Sequence, residues 1–119
     1  MMTKGQAEAK IGEIFVKYEK RDTGLGAAEV KAYFIKDAVY VRMKGVLTHQ
    51  EKTLSETKDG RFEIKILRAK QLDISRGALV KEIEEALKAK VMSVHTDISG
   101  NTGDRVFVLV MDKIIDTGF

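Results

Sequence analysis

Residues 91–112 read VMSVHTDISGNTGDRVFVLVMD, and they constrain the fold more than any other stretch of this chain. Polar and apolar residues alternate from Val91 to Ile98. Ser99-Gly100-Asn101-Thr102-Gly103-Asp104 supplies strong turn chemistry, and Arg105 to Asp112 returns as a nearly continuous apolar run. Two such runs joined by turn formers predict a β-hairpin. In the returning strand Val106, Val108 and Val110 take one face while Phe107, Leu109 and Met111 take the other. A strand that is apolar on both faces needs cover on both.

The remaining chain supplies partners for that hairpin. Ala7, Ile11, Ile14, Phe15 and Tyr18 form one apolar stripe, which predicts a helix from Thr3 to Arg21. Thr3 caps it with Gln6 three residues on, and Gly24 and Gly26 stop it. β-Branched and aromatic residues dominate Val30–Asp37 and Ala38–Leu47. These two runs are too close for a crossover and predict a hairpin turning near Lys36-Asp37-Ala38. Thr48-His49-Gln50-Glu51 is a capping box that opens a short helix to about Lys58, with a break at Asp59-Gly60. A long helical stretch follows from Arg61 to Lys90, its pattern interrupted at Ser75–Gly77. The pattern leaves one helix or two open; unbroken, thirty residues at ~1.5 Å each would reach ~45 Å, and the ends would call for a second subunit to pack on. The absence of proline from the chain is compatible with long helices.

The order α-β-β-α-β-β predicts an α+β fold, a four-stranded, mainly antiparallel sheet with helices packed on one face. At 119 residues the chain is expected to be a single domain over residues 1–119. Two helices do not cover both faces of such a sheet, although the apolar tail, with Ile114, Ile115 and Phe119, would cover part. The expectation is a homodimer formed through the sheet or the long helices.

An apolar fraction of 44% with 33% charged residues excludes a disordered chain. With no cysteine there is no disulfide, thiolate metal site or cysteine nucleophile. No stretch approaches the ~18 apolar residues of a membrane helix, and the N-terminus lacks a signal-peptide core. The chain is therefore expected to be cytoplasmic, without membrane insertion. A net charge of +3 permits only weak attraction to polyanions.

Ser93, His95, Asp97 and Ser99 alternate and so share a strand face. One reading makes this a polar site in which Asp97 orients His95 as a base or ligand; the other makes it the solvated face of an edge strand. His49 and His95 are the only histidines, too few for a zinc site, and no cofactor is expected. Gly24-Leu25-Gly26 precedes a strand, whereas nucleotide-binding glycine loops follow one and open a helix, so a helix stop is the better reading. The turn holding Thr102 is read either as a turn alone or as a loop closing over a ligand. Lys31, Arg42, Lys44 and Arg105, with Tyr33 and Tyr40 for stacking, sketch a basic sheet face of the kind RNA-binding sheets use. The element order and the missing aromatic signature speak against nucleic acid.

The chain resembles the MpsC-like family of small bacterial proteins, long catalogued as a domain of unknown function. The likeness is carried by GQAEAKIGE at Gly5–Glu13, by GLG..EV at Gly24–Val30 and by VRMKGVLTHQEKTL at Val41–Leu54. It extends through SVHTDIS..TGDRVFV at Ser93–Val108, where Gly103-Asp104 matches a Gly-acid turn. The family tends to carry Gly-Arg-Gly-Pro where this chain has Gly24-Leu25-Gly26-Ala27. The family's name implies a sodium-linked, membrane-potential-generating system whose other components are linked to inorganic carbon uptake. The resemblance thus implies a cytoplasmic accessory or regulatory protein at a membrane complex, and it supplies no catalytic residues.

The sequence reading is therefore a non-enzymatic accessory or regulatory protein, dimeric, that binds a protein partner or a small anionic ligand. His95, Asp97, Thr102, Arg42 and Arg105 are the residues singled out for that contact. The alternatives are a small enzyme using His95 and Asp97 as an acid/base pair, with Arg42 or Lys44 stabilising charge, and a weak nucleic-acid-binding module.

Overall fold

The computed structural model describes residues 2–119, in the order α1 (Lys4–Thr23), β1 (Glu29–Ile35), β2 (Ala38–Lys44), α2 (His49–Leu54), α3 (Lys58–Leu87), β3 (Val91–Ile98) and β4 (Arg105–Met111). This is the expected α-β-β-α-β-β plan, with a small extra helix ahead of the long one. The sheet order is β1-β2-β4-β3, and all three pairings are antiparallel. The two hairpins thus meet through β2 and β4.

Helix α1 starts on Thr3, whose side chain accepts from the Gln6 N–H while Gln6 returns a bond to the Thr3 N–H. It stops at Gly24, where φ is +80°. The first hairpin closes more tightly than predicted. Ile35 pairs with Ala38, so Lys36 and Asp37 alone make the turn. The strands also end earlier than Asp37 and Leu47, and Gly45 at φ +66° turns the chain out of β2.

The break between the two later helices is misplaced in the sequence reading. It falls at Ser55–Thr57, and Gly60 lies inside the first turn of α3, accepted by the Thr57 hydroxyl. Glycine is required there because a Cβ would sit 1.8 Å from the Leu54 carbonyl oxygen. Nor does Ser75–Gly77 interrupt α3. The Ser75 hydroxyl bonds back to the Gln71 carbonyl, a local bond that a helix tolerates. The result is one 30-residue helix, which accounts for the 46 Å long axis of the molecule.

Both long helices lie on one sheet face. Ala32 and Phe34 of β1, Val39, Val41 and Met43 of β2, and Phe107, Leu109 and Met111 of β4 are buried with Ile11, Phe15 and Tyr18 of α1 and Ile64, Leu72, Leu79 and Ile83 of α3. The tail joins this same side. Ile115 is buried, its N–H donates to the Lys36 carbonyl, and Phe119 stacks on Phe34. The other face has no helix over it.

Candidate functional site

Two places in the fold break the ordinary rules of burial. The first is a charge cluster inside the core. The apolar stripe of α3 runs Gly60, Ile64, Arg68, Leu72 in steps of four, so Arg68 is delivered to the core face with its neighbours and is only 2% exposed. Glu19 follows Ile11 and Phe15 in the same steps on α1 and is fully buried. Glu51, the third residue of α2, completes the set.

All three guanidinium nitrogens of Arg68 have partners. Nε and Nη2 donate to the two Glu51 carboxylate oxygens, each at 2.8 Å; Nη1 donates to Glu19 Oε1 at 2.6 Å, and Nη2 also to the Val46 carbonyl at 2.6 Å. Glu51 meanwhile accepts from the Thr48 N–H in its capping box. One carboxylate therefore caps α2 and ties it to α3. Burial pushes the Glu51 carboxyl up, but Arg68 and the Thr48 N–H together hold it below its ordinary range. Burial also opposes the Arg68 charge, and the two carboxylates outweigh it and raise its pKa.

Arg105, at the start of β4, is the exception. It is 1% exposed, and its guanidinium lies 4.6 Å from the centre of the Phe107 ring and 5.8 Å from that of Tyr18. Nε donates to Thr96 Oγ1 at 3.3 Å. Nη1 is 3.6 Å from Glu19 Oε2, close enough for charge attraction and too far for a hydrogen bond. Nη1, Nη2 and Glu19 Oε2 are all left without a hydrogen-bond partner. Burial lowers the Arg105 pKa, as expected for a cation not fully compensated. Its side chain lines a cleft of about 110 Å³ between α3 and β3, with Lys65, Arg68, Ala69, Thr96, Asp97 and Ile98.

The second place is the uncovered sheet face. The register puts Lys31, Arg42, Val106 and Asp97 in one row, Tyr33, Tyr40, Val108 and His95 in the next, and Ile35, Ala38, Val110 and Ser93 in the third. Tyr33 and Tyr40 stack with ring centres 5.9 Å apart. Tyr33 and Ile35 are exposed, and the three valines are half-buried by their neighbours alone.

The five residues singled out from sequence are dispersed. His95 is exposed on the open face, where Nε2 lies 3.0 Å from Ser93 Oγ. Asp97 shares that face, but its Oδ1 accepts from Lys65 Nζ at 2.5 Å and from the Ile98 N–H. Lys65 holds the Asp97 carboxyl below its ordinary pKa. The pair is thus not arranged as a base with an orienting carboxylate. Arg42 is paired with Asp104 at 2.8 Å. The Thr102 hydroxyl accepts from the Asp104 N–H within its turn. Arg105 does not join Lys31, Arg42 and Lys44 as a basic sheet face. Val106 is the residue opposite Arg42, and by strict alternation Arg105 falls on the helix side with Phe107. Asp97 and Arg105 are the two of the five that line the same cleft.

Arg68, Glu19 and Glu51 were not foreseen. Their signal was present: two of them are charges in step with an apolar stripe.

Comparison with known proteins places these features. The family model described as "Na+-translocating membrane potential-generating system (MpsC)" matches residues 3–113. The chain is 34% identical over 106 residues to the uncharacterized protein YbcI of Bacillus subtilis (strain 168), covering 89% of this chain and 86% of that protein. No solved structure matches it significantly.

Proposed function

The chain belongs to the MpsC family, and from that premise we propose that it is a non-enzymatic accessory protein of a membrane-potential-generating system, acting as a homodimer through its open sheet face. Among the described residues no helix is long and apolar enough to cross a membrane, which fits a component that attaches to such a system through protein contacts.

The observation that carries the reading is the row of Val106, Val108 and Val110 beside Tyr33, Tyr40, Ala38 and Ile35 on a face without a helix. Four strands ~4.8 Å apart and seven residues at ~3.3 Å each give a footprint of roughly 440 Å² per copy. That is of the order of the largest patch on an ordinary monomer and, doubled to about 880 Å², lies below the standard specific interface, in the range of weak or transient contacts. A reversible, micromolar dimer is the expected strength.

Charge supports a second copy as the occupant. A two-fold axis along the strands would lay β1 of one copy over β3 of the other. Lys31 would then face Asp97 of the second copy, Tyr33 would face His95, and Tyr40 would face Val108. Basic and acidic corners meet, and the aromatic and valine rows close over each other.

Sedimentation and light scattering over 1–200 µM, a range spanning the expected strength, test this. Wild type should show a concentration-dependent dimer, and Val108→Lys should be monomeric with its fold intact. Lys31→Glu should weaken the dimer, and Lys31→Glu with Asp97→Lys should restore it. Ile74→Glu, on the outer side of α3, should have no effect. A wild-type monomer throughout, or a dimer broken only by Ile74→Glu, would refute the reading.

A further inference from the structure

We propose that the cleft between α3 and β3 binds a small planar oxoanion of the carboxylate type, with Arg105 as its principal donor. The cleft lies on the helix side of the sheet, so the proposal does not rest on the open face or on dimerisation.

The first argument is the unspent capacity of Arg105. Its side chain is 1% exposed, yet neither terminal nitrogen has a hydrogen-bond partner. Leaving N–H groups of a buried cation unpaired is costly. Arg68 shows what a satisfied guanidinium looks like in the same core, with four bonds to two carboxylates and a carbonyl. A guanidinium presents two parallel N–H bonds that match the two oxygens of a carboxylate.

The second argument is size. Room of about 110 Å³ is equivalent to three or four waters at ~30 Å³ each. That admits an ion of a few heavy atoms.

The third is the lining. The Thr96 hydroxyl donates to the Val106 carbonyl and accepts from Arg105 Nε, so it holds the guanidinium in place rather than meeting the anion. Lys65 stands at the rim and binds the Asp97 carboxylate and the Ile98 carbonyl there, which leaves its ammonium one N–H for a carboxylate oxygen. Behind the cleft, Arg68 and Arg105 face Glu19 and Glu51, two charges against two. Glu19 Oε1 and both Glu51 oxygens bond Arg68, while Glu19 Oε2 stays 3.6 Å from Arg105 Nη1, so Arg105 keeps donors without a hydrogen-bonded acceptor. A water in the same space would meet one of its N–H groups but bring no charge.

The test is a titration with sodium acetate and sodium formate against sodium chloride at equal ionic strength, followed by thermal unfolding and by amide NMR shifts. Acetate or formate should raise Tm saturably by several degrees. The largest shifts should cluster at Ala69, Thr96, Ile98 and Arg105. Arg105→Met should abolish the response, and Thr96→Val, which removes the oxygen that holds Arg105 Nε, should weaken affinity about tenfold, the loss of one positioning hydrogen bond. Val108→Lys should bind as wild type does, so that failure here and failure of the dimer are separate results. A response equal to that of chloride, shifts centred elsewhere, or binding retained in Arg105→Met would overturn the proposal in favour of a hydrated cleft. If Arg105→Met does not fold, the wild-type shift map and Thr96→Val decide.

Discussion

Replacing Arg68 with methionine tests the account of the core most directly. Methionine keeps the apolar stem and removes the fork. Glu19 and Glu51, 0% and 3% exposed, then lose their cation, and the Val46 carbonyl loses its donor. Breaking a buried pair by removing one partner costs about 3–5 kcal/mol. With an unfolding entropy of ~2.1 cal/mol/K per residue, a chain of this length has ~0.25 kcal/mol/K in total, so Tm should fall by about 12–20 °C. The pH dependence fixes the cause. In wild type Arg68 depresses the Glu51 pKa. Its stabilisation is therefore fully present above the ordinary carboxyl range and is lost as pH falls through the folded value. Without Arg68 the burial of Glu51 favours its protonation. The variant should then gain stability relative to wild type as pH falls from 7 to 4, and the Tm gap should narrow. Calorimetry across that range provides the assay. Adding Glu19→Gln and Glu51→Gln to the variant should recover part of the loss at pH 7, since neutral amides need no counter-charge. A Tm loss under 3 °C, or a gap that does not change with pH, would show that the cluster does not hold the core as described.

The other perturbations are local. Gly60→Ala forces a Cβ to within 1.8 Å of the Leu54 oxygen and should cost about 3 kcal/mol, the upper range for overpacking. Gly77→Ala, with nothing near its added methyl, should stabilise by ~0.5–1 kcal/mol; denaturant midpoints separate the two. His95→Ala removes an exposed side chain whose hydrogen bond is to Ser93, so monomer stability should change by less than about 0.5 kcal/mol while the dimer weakens. A catalytic defect in that variant would instead revive the acid/base reading.

Much of this architecture was legible in the sequence because local rules determine it. The hairpins follow from alternation and turn residues. The starts of α1 and α2 follow from capping boxes at Thr3 and Thr48, and the stop at Gly24 from a residue free to adopt positive φ. Even the bare sheet face could be anticipated, since two helices cover one side only and Val106, Val108 and Val110 had to point to the other. The break before α3 was not legible. Gly60 resembles a helix breaker along the chain, and only the approach of Leu54 shows that it is there to let α2 and α3 meet closely.

The candidate site divides the same way. Residue type and parity placed His95 and Asp97 on one strand face, and parity applied to Arg105 would have put it among the core residues with Phe107. What no periodicity contains is which charges meet. Glu19, Glu51 and Arg68 come from three different helices, and their pairing exists only once α1, α2 and α3 pack together. The sequence alone determined which residues face inward. The tertiary structure alone decided that Arg68 takes both carboxylates and Arg105 is left with open donors, because hydrogen bonds depend on distances of tenths of an ångström that only packing sets.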